Sequence, residues 1–463
     1  MSVSIFDSFL TTSDMIAVFD DQAVVQAMLR FEQVLAEAEA AEGIIPEAAA
    51  RAIASVCRAP LYDINALIVA GRRAGALAIP LVKELQRTVA LYSEEAATHV
   101  HWGSTSQDVL DTAMVLVTRE ALRLVDGELD QLAHRLLDLS QSHLDTPVLA
   151  RTLMQPAQVT SLGLKFCNWA APLLRSRAQL QALAERALQL QLGGAVGTLA
   201  VLGEKGPAVA ARMAAALGLK TPDAAWHTQR DEWIRLGAEM AVLAGSLGKI
   251  ATDLSLMAQG EIAELAEPAG NGRGGSSAMP HKRNPVSAMI ALAAANRAPH
   301  HASALLGAMA QQHERGLGNW QAELAEWPAL FLGAHGALNA LNDAFAGLVV
   351  DTERMRRNID ALQGLVFAEA ASIFLAGAIG RPAAHALLEK LTQQTVATQG
   401  QLADVLTAAI SDDVQLGKQI DISRVQDLFD PVQALGAARA LAERQLKHLL
   451  QGRPSSPFID KTH

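Results

Sequence analysis

Long stretches of the chain have apolar residues at every third or fourth position. The clearest stretch lies between Gln107 and His143, where the repeating apolar positions are Leu110, Met114, Val117, Ala121, Leu124, Leu132, Leu136 and Leu139. Apolar residues at this spacing share one face of an α-helix. The pattern therefore predicts one long amphipathic helix, with Ser104, Thr105, Ser106 and Asp108 as candidate caps at its start.

Four further stretches show the same pattern. They cover residues 156–191, 231–265, 286–312 and 321–349. Together the five predicted helices would form a bundle with polar loops at its ends. Shorter helical patterns on either side predict three domains, at 1–106, 107–350 and 351–463. No alternating pattern predicts a large sheet, so the expected fold class is all-α.

Composition and charge argue against several classes of function. The formal net charge of −10 argues against a nucleic-acid surface, so an anionic ligand would need a locally built cationic pocket. Cys57 and Cys167 show no metal-ligand spacing, which indicates a reducing compartment. A basic signal-peptide start and an uninterrupted apolar stretch of ~18 residues are both missing from the sequence. We expect a soluble, cytoplasmic protein without nucleic-acid or membrane partners.

One segment, Gly274–Pro285, carries an unusual set of reactive side chains. Ser276, Lys282 and Asn284 offer a proton-transfer group, a cation and an amide donor within a few residues. This set suits an anionic substrate on which negative charge develops. A solvated linker is the plain alternative, but loops longer than ~12 residues are uncommon unless they are functional or disordered.

Glycines before this segment satisfy the spacing of a dinucleotide-binding loop. They are Gly270, Gly272 and Gly275. That motif needs a preceding strand and a helix directly after it. Here a long helix precedes the glycines and the loop continues to Pro285, which argues against a nucleotide site.

Polar clusters also occur at the ends of the predicted helices. They are His101–Asp108, Arg151–Pro156, Thr228–Asp231 and His313–Arg315. Free backbone N–H groups at helix starts attract anions, although helix capping explains part of each cluster. Pro156 is predicted to lie in the first turn of its helix. His99 and His101 form only a weak metal pattern because no carboxylate ligand pattern lies nearby.

The segment Gly275–Asn284, read as Gly-Ser-Ser-Ala-Met-Pro-His-Lys-Arg-Asn, resembles the signature loop of the fumarase/aspartase superfamily. This superfamily includes fumarase, aspartase, argininosuccinate lyase and adenylosuccinate lyase. Residues 101–112 and 151–160 resemble its two other motif regions. The resemblance implies an all-α homotetramer with a twenty-helix core, active sites built from three subunits, and neither a cofactor nor a metal.

The resemblance also implies roles for individual residues. Ser276 matches the loop serine that handles the substrate C–H proton, while Lys282 and Asn284 match groups that hold a carboxylate as it gains enolate-like charge. The sequence does not choose between Ser276 and Lys282 for proton transfer. The substrate-binding candidates are His101, Ser104, Thr105, Ser106, Thr152, Gln155, Gln229, Arg230, His281, Arg283 and Arg315.

Two positions depart from the pattern of the lyases. Leu153 and Met289 stand where those enzymes usually have a paired His and Glu. Expulsion of an amine or hydroxide needs an acid, whereas a carboxylate with a pKa near 4 is ionised at pH 7 both as nucleophile and as leaving group. The chain therefore resembles the cycloisomerase branch of the superfamily. This implies an intramolecular lyase that interconverts 3-carboxy-cis,cis-muconate and 4-carboxymuconolactone in protocatechuate catabolism.

Two alternatives stay open at this point. The first is elimination of fumarate from adenylosuccinate or argininosuccinate, because the loop of adenylosuccinate lyase also carries His-Lys-Arg-Asn. Leu153 and Met289 count against it. The second is an inactive structural relative, as lens delta-crystallin is for argininosuccinate lyase, and the retained Ser276, Lys282 and Asn284 argue against that.

Overall fold

The chain folds into α-helices, as predicted. A computed structural model describes residues 5–270, 272–275, 279 and 281–452. Between residues 5 and 100 there are seven α-helices: α1 (Ile5–Phe9), α2 (Ser13–Val18), α3 (Asp21–Ala41), α4 (Glu47–Val56), α5 (Ile64–Ala74), α6 (Ala78–Ala90) and α7 (Glu94–Ala97). Six follow in the middle of the chain: α8 (Ser106–Ser142), α9 (Leu162–Ala187), α10 (Gly206–Leu217), α11 (Asp231–Met257), α12 (Val286–Gly307) and α13 (Asn319–Ala346). The rest are α14 (Thr352–Asp360), α15 (Ala368–Ile379), α16 (Arg381–Thr398), α17 (Leu402–Asp412), α18 (Val414–Gln419), α19 (Ser423–Leu428) and α20 (Gly436–Gln451).

The five predicted long helices are all present, as α8, α9, α11, α12 and α13. The predicted start at residue 156 is wrong, because α9 begins at Leu162 with the Ser161 hydroxyl accepting a hydrogen bond from the backbone N–H of Leu164. Residues before it form a hairpin of β1 (Pro147–Thr152) and β2 (Gln155–Ser161). Pro156 therefore lies in a strand, not in the first turn of a helix. A two-stranded hairpin has only edge strands, which tolerate proline.

The long helices share one apolar core with the helices that precede them. Trp233 of α11 and Trp327 of α13 stack within it, with ring centroids 3.8 Å apart. Leu446 of α20 joins the same core, so the end of the chain packs back onto the bundle. A second core lies within residues 371–425. The domain limits 1–106, 107–350 and 351–463 stay a prediction.

Helix α11 is long and apolar enough to cross a membrane by length and composition, as is the bent segment made of α14 with Leu365–Ile379. Half of the most apolar window of α11 is buried inside the molecule. Helix α11 packs against α9, α12 and α13. Its apolar character is thus used in helix packing.

The bundle has two ends, and this arrangement positions the candidate site. Helix α8 has 37 residues, so its two ends are about 55 Å apart at ~1.5 Å per residue. We call the end with the start of α8 the cap end; it comprises residues 101–111, 191–195, 226–231 and 308–323. The opposite end, called the hairpin end, comprises residues 147–161, 264–289 and 343–350, where β3 (Leu265–Ala266) pairs with β4 (Val349–Val350).

Candidate active site

At the cap end, the structure brings Thr105 and Arg315 together although 210 residues separate them. Thr105 precedes the first turn of α8. Its hydroxyl accepts a hydrogen bond from Nη1 of Arg315 at 3.0 Å, and Nη2 of Arg315 donates to the carbonyl of Ala195, also at 3.0 Å. Ser104 and Ser106 flank Thr105 and are half-buried. A cation and the Thr105 hydroxyl therefore meet at a helix N-terminus, which is a favourable place for an anion.

Asp108 holds this arrangement together, a role that the sequence did not indicate beyond capping. Its buried carboxylate accepts hydrogen bonds from the backbone N–H groups of Thr105, Gly193 and Gly194 at 2.9–3.0 Å. It also lies 2.7 Å from Nε2 of His227. Asp108 thus fixes the loop whose carbonyls receive Arg315.

His101 lies just before the same helix. Its backbone adopts a left-handed conformation (φ 63°) that is uncommon for a residue other than glycine. Nδ1 lies 2.6 Å from Oε1 of Glu32 and 2.9 Å from the hydroxyl of Ser104. Burial lowers the pKa of His101, but the charge and hydrogen bond of Glu32 and the charge of Asp108 outweigh it, so the pKa is raised above its ordinary value. The site therefore favours a positively charged imidazole.

Arg230 has a different environment from the predicted substrate contact. Its side chain is buried, 3% exposed. The guanidinium donates to Asp111 at 2.8 Å and to Glu323 at 2.5 Å, and it lies over the ring of Trp226 at 4.6 Å. These contacts join α8, α11 and α13. We therefore assign Arg230 to helix packing and not to substrate binding, while its neighbour Gln229 is exposed at the same end.

At the hairpin end, the candidates Thr152 and Gln155 pair with each other across the turn between β1 and β2, and both are exposed. The two turn residues, Leu153 and Met154, adopt left-handed conformations (φ 50° and 66°). Arg151 anchors the hairpin from within β1. Its guanidinium forms two hydrogen bonds, at 2.8 and 3.0 Å, with the carboxylate of Glu264, whose side chain is fully buried.

The candidate loop lies at the same end. Ser276 falls outside the described residues. Asn284 donates its backbone N–H to the carbonyl of Gly274 at 2.8 Å, and Gly275 forms a bridge with Arg283, so the described parts of the loop come back together at its base. His281, Lys282 and Arg283 are exposed.

Two charged residues fix the base of the loop to α12. The carboxylate of Glu267 accepts the backbone N–H groups of Ser287 and Ala288 at 3.1 and 2.9 Å, at the positive end of the helix dipole. Arg273 donates to the hydroxyl of Ser287 at 2.7 Å and also pairs with Asp343. These anchors suit a loop that presents Lys282 and Asn284 in a defined place.

Comparison with known proteins identifies the family of the chain. The sequence profile of the family described as Lyase matches residues 9–299 of the chain. The chain is a member of the fumarase/aspartase superfamily.

Several superfamily members match over nearly their whole length. The 3-carboxy-cis,cis-muconate cycloisomerase of Bradyrhizobium diazoefficiens is 46% identical, covering 95% of this chain and 97% of the relative. The enzyme of the same name from Pseudomonas aeruginosa is 46% identical, covering 96% and 95%. The crystal structure of the 3-carboxy-cis,cis-muconate lactonizing enzyme from Pseudomonas putida superposes with a TM-score of 0.91 at 42% identity, covering 97% and 99%.

Within one chain, the candidate site residues form two groups at opposite ends of the bundle. His101, Thr105 and Arg315 lie at the cap end, whereas Thr152, Gln155 and the loop with Lys282 and Asn284 lie at the hairpin end. Leu153 and Met289, the two departures from the lyase pattern, also belong to the hairpin end and are 97% and 50% exposed in the isolated chain. The described candidates of one chain therefore lie in two separate groups.

Within the described part of the chain, no group of three or more His, Cys, Asp or Glu side chains is placed to hold a metal ion. Three of the buried acidic residues, Asp108, Glu264 and Glu267, are instead bonded to backbone or cationic groups. Sequence reasoning missed Glu264, Glu267, Glu32 and Asp111, and it indicated Asp108 only as a helix cap. Glu32 carried a usable signal, because it is an acidic residue on the apolar face of α3, four residues after Met28 and three before Leu35.

Proposed function

We propose that the chain interconverts 3-carboxy-cis,cis-muconate and 4-carboxymuconolactone. The observation that carries this proposal is the 46% identity, over 95% or more of the chain, to two enzymes with this activity. The reaction suits the chemistry of the chain because Leu153 and Met289 leave the hairpin end without the usual His and Glu acid–base pair. The corresponding role is in the catabolism of protocatechuate.

The reaction needs few catalytic groups. One substrate carboxylate, ionised at neutral pH, adds through its oxygen to an alkene carbon and forms the C–O bond of the lactone. The neighbouring carbon gains negative charge, shared with its own carboxylate, and then takes up one proton as a C–H bond. The trianion thus becomes a dianion. Binding of carboxylates, stabilisation of the enolate-like charge and delivery of one proton are sufficient.

The proposed roles follow the two ends of the bundle. At the hairpin end, Lys282 and Asn284 stabilise the enolate-like charge and Ser276 or Lys282 delivers the proton. At the cap end, Thr105 and Arg315 bind a further carboxylate. Supporting contacts come from the remaining candidates at both ends, His101, Ser104, Ser106, Thr152, Gln155, Gln229, His281 and Arg283.

We further propose that a homotetramer completes the site by joining the cap end of one subunit to the hairpin ends of others. The distance of about 55 Å between the two ends of α8 supports this, because no side chain bridges that distance. Large apolar residues exposed on the isolated chain, such as Leu153 and Met289, support it as well. The chain would act on its small tricarboxylate substrate in the cytoplasm.

The first test is the ultraviolet absorbance of 3-carboxy-cis,cis-muconate mixed with purified full-length protein and EDTA. We expect the diene absorbance to disappear at a rate proportional to enzyme, with uptake of one proton per molecule in a weakly buffered solution. Adenylosuccinate and argininosuccinate, assayed in parallel, should not be cleaved. An unchanged muconate spectrum would overturn the proposal, and cleavage of either succinate would restore the elimination alternative.

A further inference from the structure

Glu32 of α3 lies next to the cap end. It belongs neither to the signature loop nor to the polar clusters at the helix ends. Its side chain is fully buried, and Oε1 lies 2.6 Å from Nδ1 of His101. The second oxygen, Oε2, is buried and has no hydrogen-bond partner among the described residues. A buried carboxylate is costly unless it is paired. Its partner here is the imidazole of His101, so the two groups depend on each other.

The geometry limits what the imidazole of His101 can do. Nδ1 faces Glu32 and is also 2.9 Å from the hydroxyl of Ser104, whereas the shortest contact of Nε2 is 3.4 Å, again to Ser104. A carboxylate that binds one ring nitrogen fixes the tautomer and the orientation of the ring. Nε2 is therefore the ring atom that stays available to a ligand. His101 lies four residues before Thr105, which caps the start of α8.

The other ionisable side chains near Glu32 and His101 do not take the proton away from His101. Burial and the charge of Glu32 raise the pKa of Glu39, also in α3, to about 9, so it is neutral at pH 7. Burial and the charges of Glu32 and Glu37 raise the pKa of the Cys57 thiol, which is neutral as well. Asp108 adds a further negative charge from the first turn of α8. The acidic groups that act on His101 from these elements are thus Glu32 and Asp108.

We infer that Glu32 is a positioning residue that holds His101 as an imidazolium, with Nε2 directed to a carboxylate of the tricarboxylate substrate beside Thr105 and Arg315. This inference rests on the proposed function, since the anion that the imidazolium binds is the substrate of that reaction. Two cations, His101 and Arg315, then oppose the overall negative charge of the molecule at the cap end.

The test measures the protonation of His101 without relying on turnover. Diethylpyrocarbonate modifies neutral imidazole only, so the pH dependence of His101 modification, followed by peptide mass spectrometry, gives its titration midpoint in the full-length protein. For the wild type we expect a midpoint above 6.5, the ordinary value for histidine. In Glu32→Gln the midpoint should fall by about one pH unit or more. A wild-type midpoint at or below the ordinary value would overturn the inference even if the variant did not fold.

Two variants of the same helix serve as controls. Glu39→Gln changes an equally buried carboxyl, and Glu37→Gln changes an exposed one that accepts a hydrogen bond from Gln33. Neither should move the midpoint of His101 modification. A shift in Glu39→Gln equal to that in Glu32→Gln would indicate a general disturbance of α3 and would contradict the specific role of Glu32.

Kinetics then connect the pair to the substrate. In Glu32→Gln we expect KM for 3-carboxy-cis,cis-muconate to rise about 10-fold at pH 8 and to approach the wild-type value near pH 6, with a smaller change in kcat. Glu32→Asp retains the charge and should retain the wild-type pH profile. If wild-type protein does not convert this muconate, the proposed function fails, and the modification experiment still decides the link between Glu32 and His101. A pH-independent loss in Glu32→Gln would leave Glu32 a merely structural residue.

Discussion

Two carboxylates of α3 show how the surroundings of a residue set its charge. Glu32 and Glu39 are seven residues apart and both are buried. Glu32 pairs with His101, whereas neither oxygen of Glu39 has a hydrogen-bond partner among the described residues. Ionisation of Glu39 would leave an unpaired charge in the core, so the folded state favours its protonated form.

Glu39 should therefore make stability depend on pH. Its pKa is about 9 in the folded chain and 4.5 ordinarily, so the folded state binds the proton more tightly than the unfolded state. The contribution of Glu39 is fully present below pH 4.5 and is lost as the pH rises toward 9, by up to about 1.4 kcal/mol per pH unit. Glu39→Gln cannot ionise and should remove this slope from the free energy of unfolding, measured in urea at pH 5 to 9. Glu37→Gln is the exposed control, and an unchanged slope in Glu39→Gln would contradict the prediction.

Gly274 tests the base of the candidate loop. It has a φ of +63°, and an added Cβ would lie 2.5 Å from the carbonyl oxygen of Asn284. Gly274→Ala should displace Asn284 and lower kcat/KM for the muconate by about 100-fold. Gly272→Ala is a matched control, since Gly272 has a φ of +78° and no atom of the described residues lies within 4 Å of an added Cβ. It carries similar backbone strain without the collision, so an equal loss in both variants would argue against a role for the contact with Asn284.

At the scale of elements, the start of α11 is held by a buried ion-pair network. Arg230 connects Asp111 of α8 with Glu323 of α13. Burial of Arg230 lowers its pKa, but the two carboxylates outweigh this and raise it. The network ties three helices of the cap end together and thereby supports the segment that carries Arg315.

Removal of this cation should be costly. Arg230→Met leaves two buried carboxylates without their partner, and we expect the free energy of unfolding to fall by about 3–5 kcal/mol. Arg235→Met removes an exposed arginine one turn further along α11, which pairs with Asp231 and Glu232. It should cost no more than about 1 kcal/mol. Urea denaturation at equal protein concentration measures both, and similar losses would contradict the importance of the buried network.

At the scale of the whole molecule, the separation of the two ends makes a prediction about mixed tetramers. Lys282→Met damages the hairpin end and Arg315→Met damages the cap end, so each variant alone should be inactive. After the two variants are unfolded and refolded together, about a quarter of the sites would combine two intact ends if each site takes its ends from different subunits. The activity of the mixture should therefore recover to about a quarter of the wild-type activity.

The control for this experiment uses two variants of the same end. A mixture of Lys282→Met and Asn284→Ala leaves every hairpin end damaged, so it should stay inactive. Recovery in this mixture would mean that the single variants refold better together, not that sites are shared. Failure of the first mixture, with tetramers confirmed by light scattering, would place each site within one subunit.

The sequence by itself determined the helical class and the five long helices, because the periodic apolar residues are local and sufficient to define a buried face. It also determined the chemistry of the loop with Lys282 and Asn284, since that motif is contiguous. The hairpin before α9 was missed because β1 does not alternate between apolar and polar residues and Pro156 resembles a helix start.

Only the tertiary structure decided which distant residues meet. Arg230 reads in sequence like any cation at a helix start, and its commitment to Asp111 and Glu323 depends on the packing of three helices. Likewise, the pairing of Glu32 with His101 joins residues 69 positions apart. Burial and the partners of a charge are set by long-range contacts, and these determine whether a polar residue faces a substrate or stabilises the core.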